Sequence, residues 1–246
     1  SYRIKSLGAG TQRVENELKK SFGNASSARL DLDTAPKWQE QEKIFADFRA
    51  KKFHILIGTQ LMLKMELLPK ADLSAIITID PLLSLPDFRM GERIAKIIDM
   101  LMQSSKKLLI QTYKPDNEIF QNLIKNGSQK FYSSWLKQEL ENRKALSYPP
   151  FSQIVKLEYA HEDPQKAEQQ ANILRNKLLL QAQNYQLPVA SYRLLGPFPA
   201  FIPRVKNRYI WQIMIKSKID DMRLRNKILQ VVPSGWKVDV DPVNFM

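Results

Sequence analysis

The chain has 246 residues, 43% of them hydrophobic, and a formal net charge of +13. That is apolar material for one large domain or two ordinary ones, under a surface suited to a polyanion: nucleic acid, a ribosomal surface or an anionic membrane. With no cysteine and only two separated histidines, His54 and His161, a disulfide framework and thiolate zinc sites are excluded, and a histidine metal centre is not expected. No apolar run approaches the roughly 18 residues of a membrane span, and no basic-then-apolar leader opens the chain, so a cytoplasmic protein with no membrane partner is expected. The first residue is Ser1, in "SYRIKSLGAG", which enters an element with no turn before it; a fragment or processed product is expected.

In chain order, "RVENELKKSF" sets Val14, Leu18 and Phe22 on one helical face, with Thr11 placed to cap the helix after "GAG". "ARLDLD" predicts a short strand, "WQEQEKIFADFRAKK" a helix, "FHILIG" a buried strand and "LSAIITIDPLL" another. "GERIAKIIDMLMQ" predicts a helix and "KKLLIQTY" a strand. Strand and helix in alternation predict an α/β fold, a parallel sheet with helices on both faces. Ligands gather at the carboxyl ends of such strands. The segments to inspect are therefore "GTQLMLK" after Ile57, "DPLLSLPDFR" after Ile79 and "TYKPD" after Gln111.

"NEIFQNLIKNGSQKFYSSWLKQELENRKALSYPPF" predicts two helices broken at Gly127 and stopped by Pro149 and Pro150. A domain boundary is expected there, giving domains 1–147 and 148–246, with "YPPF" as a rigid hinge. Beyond it, "FSQIVKLEYA" predicts a strand and "DPQKAEQQANILRNKLLLQAQNY" a long helix opened by Asp163 and Pro164. "ASYRLLGPFPA" and "YIWQIMIKS" predict strands, "DDMRLRNKILQVV" a helix and "WKVDVDPVNF" a strand. The order βαββαβ is the ferredoxin-like arrangement, an antiparallel sheet with both helices on one face.

Several short segments suit chemistry, each with a plainer alternative. "GAGTQ", residues 8 to 12, either cradles a phosphate on free amides at a helix start or merely turns the chain. In "ILIGTQ", Gly58 lets the backbone turn so that the Thr59 hydroxyl and amide face a ligand. "PDFR", residues 86 to 89, is a helix start with an acid in its first turn, which good capping alone explains. "RVKNRYIWQIMIK" places Arg204, Lys206 and Arg208 around an aromatic-rich strand, suited to a nucleic-acid backbone or an acidic peptide, or equally to a guarded sheet edge. The acids of "VDVDPVNF" are spaced like metal ligands, but a terminal strand with outward carboxylates needs no metal, and none is expected.

Taken together, "LGAGTQRVENELKKSF", "RLDLDT", "ILIGTQ", "LPDFRMGER", "LIQTYKP", "YPPF", "LLGPFPA", "RYIWQ" and "VDVDPVNFM" resemble, at matching intervals, the C-terminal half of the primosomal protein N′ (PriA) family of bacterial replication-restart DNA helicases. The resemblance implies a partial second RecA-like helicase lobe, incomplete at its start and ending in linking helices, followed by the family's C-terminal domain. ATP in such helicases lies between two lobes, and zinc is held by cysteines upstream, so neither cofactor is expected in this chain. No GKT or GKS loop and no DEAH-like acid pair occurs.

The family's helix after "PDFR…ER" carries a run like QVAGRAGR, whose arginines reach the γ-phosphate and stabilise charge in the transition state. The corresponding residues here, Met100 to Lys107, read "MLMQSSKK", so Ser104, Ser105, Lys106 and Lys107 mark a degenerate finger region and no catalytic residue is expected. After "GTQ", where the family resembles KGxDFPxV, "KMELLPKADL" keeps Lys64 but has Met65 for the glycine and Leu67 for the acid. Expected nucleic-acid contacts are Thr11, Thr59, Lys64, Arg204 and Lys206. The resemblance further implies that Arg208 and Gln212, four apart and so on one strand face, hold the acidic C-terminal tail of single-stranded DNA-binding protein. Expected partners are branched or single-stranded DNA, that tail and other primosome proteins. The leading reading is a DNA- and partner-binding portion that does not hydrolyse ATP. The alternatives are the second lobe of a working helicase whose first lobe lies upstream, and an RNA- or ribosome-binding module.

Overall fold

Two parallel strand pairs and one antiparallel four-stranded sheet organise the computed structural model, which describes residues 10–64, 68–185, 192–218 and 222–242. The chain divides into two units, one of residues 1–85 and 89–136, the other of residues 86–88 and 137–246.

In the first unit, α1 (Thr11–Ser21) leads to β1 (Ser27–Leu30), α2 (Trp38–Arg49) and β2 (Ile55–Gly58). A 3₁₀ turn follows over Gln60–Lys64, then β3 (Ala71–Ile76), α3 (Asp80–Leu83), α4 (Met90–Ser104) and β4 (Ser105–Ile110). The predicted alternation and parallel pairing are present. Among the described residues they form two pairs, β1 with β2 and β3 with β4, rather than one continuous sheet. Leu30 and Phe45 centre one core, and the other is built on the α4 stripe Met90, Ile94, Ala95 and Ile98 with Phe131 and Trp135. The three- and four-residue spacing puts that stripe on one helical face. Two boundaries differ from expectation. "LSAIITIDPLL" ends as a strand at Ile76, and its "DPLL" is the short helix α3, opened by Asp80 with Pro81 in the first turn, a position that tolerates proline. Pro86–Phe88 precedes α4 instead of lying in its first turn, where the acid is Glu92.

α5 (Glu118–Ala145) is assigned as one helix, but Gly127 within it sits at φ 65° and ψ 172°, so the predicted break falls where glycine alone adopts that backbone without strain.

The second unit contains β5 (Ser152–His161), α6 (Pro164–Asn184), β6 (Tyr192–Val205), β7 (Arg208–Lys218), α7 (Met222–Leu229) and β8 (Lys237–Val240). Strand order β6-β7-β5-β8 with every pair antiparallel is the ferredoxin-like sheet. Val155, Leu157, Ile213 and Ile215 pack on Leu174 and Leu178 of α6 and on Ile228 of α7. Both helices therefore cover one sheet face. Asp163 caps α6, accepting from the Gln165 and Lys166 backbone amides. Near β5, Tyr148 stacks on Phe88 with centroids 4.7 Å apart. The Lys216 ammonium lies 3.6 Å from the Tyr148 centroid and the Arg143 guanidinium 5.0 Å from that of Phe88, a cation–ring–ring–cation stack.

Gly196 marks a bulge in β6, where Leu195 to Phe198 spans one residue more than its partners Met214 to Gln212. It has φ +96°, and an added Cβ would lie 2.8 Å from the Gln212 carbonyl oxygen and 3.0 Å from the Phe198 ring. Backbone cannot move aside as a flexible side chain can. Gly196→Ala should therefore destabilise the second unit by roughly 2 kcal/mol, seen as a lower denaturant midpoint with helical content retained.

Candidate nucleic-acid interface

The carboxyl ends of β1 and β2 lie side by side, because Leu30 pairs with Gly58. Asp31 follows the first strand and Thr59 the second. Asp31 is 6% exposed and gathers donors: the Thr11 hydroxyl at 2.5 Å, the Thr34 hydroxyl at 2.9 Å and the Asp33 and Thr34 backbone amides at 3.1 and 2.9 Å. The Arg29 guanidinium lies 3.8 Å away. Burial, the largest single influence, pushes the Asp31 carboxyl up, but the bonds from Thr11 and Thr34 and the Arg29 charge outweigh it, and the net shift is downward.

This changes the expected part of Thr11. The helix cap is Gly10, with no side-chain cap bond, and Thr11 is the first helical residue with its hydroxyl proton given to Asp31. Thr11 therefore lies one position past the cap, and its hydroxyl is turned to Asp31 instead. What this helix start offers an anion is backbone: the Arg13 and Val14 amides bond to the Gly10 carbonyl, while among the described residues no side chain caps the amides of Thr11 and Gln12. Thr59 is exposed, and its hydroxyl oxygen accepts the Leu61 amide at 3.3 Å, which leaves the hydroxyl proton for a ligand. Gly58 holds Thr59 at that edge, since an added Cβ would strike the Met62 sulfur and come within 3.0 Å of the Leu30 carbonyl oxygen. Thr11 and Thr59 are thus brought to one edge. Gly8 and Ala9 of the predicted phosphate cradle, Met65, Leu67 and the Lys64 side chain lie outside the described residues.

The predicted finger region holds no loop. α4 ends at Ser104 and β4 begins at Ser105, and both serine hydroxyls donate to the Leu101 carbonyl, at 3.1 and 2.6 Å. Lys106 pairs with Asp72 on the neighbouring strand at 2.7 Å, and that bond raises the ammonium above its ordinary value. Lys107 is exposed on the same strand, in register with Leu73.

In the second unit, β6 and β7 meet in a two-residue turn, Lys206 and Asn207, both at positive φ (47° and 65°), after Val205 pairs with Arg208. Arg204 donates to the Asn207 side-chain oxygen at 2.8 Å and lies over the Tyr209 ring, so it braces the hairpin. Lys206 and Arg208 are exposed. Gln212 differs from Arg208. It is 1% exposed and its amide donates to Glu158 at 2.8 Å, within a polar cluster on the face opposite the helices. Lys156, 2% exposed, approaches Glu158 to 3.6 Å, and Lys237 approaches it to 3.3 Å. Burial tends to raise the Glu158 carboxyl, but Gln212, Lys156 and Lys237 bring it below its ordinary value. Sequence reasoning missed Glu158 and Lys156 because only cross-strand register reveals their cluster, and Asp31 because its main partner, Thr11, lies 20 residues earlier.

Both histidines serve local structure: His54 Nδ1 lies 3.0 Å from the Ser26 hydroxyl, and His161 Nδ1 accepts the Asp163 amide at 2.9 Å. Asp241 clasps the start of β5, accepting from the Ile154 amide and the Gln153 side chain, both at 3.1 Å. Among the described residues no group of histidine and acidic side chains could hold a metal, and no helix is long and apolar enough to cross a membrane.

Residues 144–243 match the family model described as the primosomal protein N C-terminal domain, the span of the ferredoxin-like unit's sheet and helices. The chain belongs to the PriA family. It is 31% identical over 252 aligned residues to replication restart protein PriA of Bacillus subtilis, covering 100% of this chain and 30% of that protein. Against the Synechocystis PriA the identity is 28% over 252 residues, covering 98% and 29%, and against the Borreliella burgdorferi PriA 32% over 217 residues, covering 85% and 31%. The chain thus spans about a third of the length of these PriA proteins.

The Asp31 cluster yields a pH prediction. Its folded carboxyl titrates below its unfolded value near 3.8, so the stability it contributes is fully present above that value and disappears as pH falls through the folded one. Asp31→Asn should cost on the order of 1.5 to 3 kcal/mol at pH 7. In urea melts at successively lower pH, the gap from wild type should narrow once the pH drops below about 4. A gap independent of pH would contradict this assignment.

Proposed function

We propose that this chain is the DNA- and partner-binding C-terminal portion of a replication restart protein and does not hydrolyse ATP by itself. The observation that carries the proposal is the edge where the uncapped start of α1 and the Thr59 hydroxyl stand together at the carboxyl ends of β1 and β2. Uncapped amides and a hydroxyl donor suit phosphate oxygens, and such contacts position a strand without reading its sequence. The net charge of +13 supports the same class of partner. Lys64, Arg204 and Lys206 remain candidate backbone contacts, with Lys206 at an exposed turn the more available of the last two.

ATP chemistry lacks its parts in this chain. No GKT or GKS loop is present, and the finger region is a helix joined directly to a strand. Lys106 and Lys107 lack the planar fork that clamps phosphate oxygens, and an arginine finger is worth roughly 10³ to 10⁵ in rate. Purified chain should show no ATP turnover stimulated by DNA; turnover abolished by changing Lys106 and Lys107 to Ala would contradict this.

For DNA, anisotropy titrations with forked and single-stranded oligonucleotides should show affinity falling at least tenfold between roughly 50 and 200 mM salt, as counterion release requires. A flat salt dependence, or preferential capture by structured RNA competitor, would overturn the DNA reading.

Within this function the acidic tail of single-stranded DNA-binding protein is the peptide partner we propose, with Arg208 as its principal contact. Arg208 is exposed and can grip a terminal carboxylate in two-pronged form, whereas Gln212 reaches it only through the buried Glu158 cluster. Arg208→Ala should cost about 1.5 to 3 kcal/mol of peptide binding and leave DNA affinity nearly unchanged. Equal peptide affinity would remove the assignment, and a matching loss for DNA would make this hairpin a nucleic-acid face.

A further inference from the structure

The segment after β4, "TYKPD", also leaves the carboxyl end of a parallel strand, and no role above uses it. Tyr113 in it is 89% exposed. Its backbone is nevertheless held firmly. Asp80 Oδ1 accepts both the Thr112 hydroxyl at 2.9 Å and the Tyr113 amide at 3.0 Å, and the Thr112 oxygen accepts the Lys114 amide at 3.0 Å. The Asn117 amide then bonds back to the Lys114 carbonyl at 3.1 Å, and Gln121 reaches the Pro115 carbonyl at 3.2 Å. Such a turn would hold a buried aromatic just as well, yet among the described residues this ring stacks on nothing.

We propose that Tyr113 is a stacking platform for a base of a single-stranded nucleic acid, with the Lys114 ammonium meeting the adjacent phosphate. The proposal rests on the nucleic-acid reading given above and adds a residue that reads the base plane rather than the backbone. An aromatic face accepts any base, and a ring pre-set by a rigid turn loses little freedom when a base settles on it. The chain on either side favours this over a protein hot spot. The exposed side chains Gln111, Lys114 and Asp116 are polar or charged, and Pro115 is the one apolar member of the turn, so the ring lacks the apolar surround that shields a hot-spot aromatic from water. The strand-end position of this segment is legible in the sequence, but the exposure and the Asp80 clasp, formed with a residue 32 positions earlier, are visible only in the fold.

The test uses the full chain and two labelled strands of equal length and charge, oligothymidine and an abasic strand with the same phosphates and no bases. Tyr113→Ala should weaken oligothymidine binding roughly 5- to 100-fold, leave the abasic strand bound as by wild type, and keep the salt slope. Tyr113→Trp should retain oligothymidine binding, and Lys114→Ala should weaken both strands modestly. Circular dichroism should be unchanged in each variant, since the altered side chains lie outside the core. Wild type and Tyr113→Ala binding oligothymidine equally would overturn the proposal and return Tyr113 to a protein partner. Equal losses on both strands would overturn it too, because stacking needs a base. If wild type binds neither strand, the nucleic-acid reading itself fails, an outcome distinct from a failure of stacking alone.

Discussion

No residue separates α4 from β4. The helix closes when the Ser104 and Ser105 hydroxyls both donate to the Leu101 carbonyl, and Ser105 already pairs with Ala71 of β3. This junction fixes the second core of the first unit, because α4 packs Ile94, Ala95 and Ile98 against the same β3–β4 ladder it runs into. It also bears on the proposed lack of ATP chemistry. An arginine finger needs a helix end or loop free to project toward a phosphate placed elsewhere, and here every residue of the corresponding stretch belongs to the helix or to the ladder. On the reading proposed above, the scaffold is kept without the group that would couple it to nucleotide hydrolysis.

Element order was legible from periodicity, since alternation of strand and helix and the later βαββαβ run depend on local pattern alone. Gly127 was legible as a break because no other residue type adopts its backbone angles cheaply. The failures share a cause. "DPLL" continues an apolar run that matches a strand, but Asp80 is claimed by Thr112 and Tyr113 across the β3–β4 pair, and Pro81 cannot donate to a ladder. Thr11 looks like a cap, but the helix starts one residue earlier than that reading needs, with Gly10 as the cap, and the Thr11 hydroxyl goes to Asp31, distant in sequence. Gln212 and Arg208 share a strand face by spacing, but only the pairing of Glu158 with Gln212 shows that one is sealed and the other open.

The buried charges are arranged by the same logic of register. Lys156 and Glu158 occupy alternate positions of the central strand β5, on the face away from α6 and α7, where Gln212 from one neighbour and Lys237 from the other complete the acid's partners. A carboxylate so supplied stays ionised despite burial, and removing any one partner would leave the others imperfectly matched. Among the cations of the β6–β7 hairpin, Arg204 is occupied in bracing its own turn, while Lys206 and Arg208 are exposed.

The central claim, that DNA is held at the carboxyl edge of the first unit without nucleotide, is tested most directly by amide hydrogen exchange of the chain with and without a forked oligonucleotide, no ATP present. The account predicts that DNA slows exchange at the start of α1, from Thr11 to Gln12, and in the segment from Thr59 to Leu61, where the donors that would meet phosphate lie. Protection absent from both segments while DNA is demonstrably bound, or appearing there only once ATP is added, would contradict it.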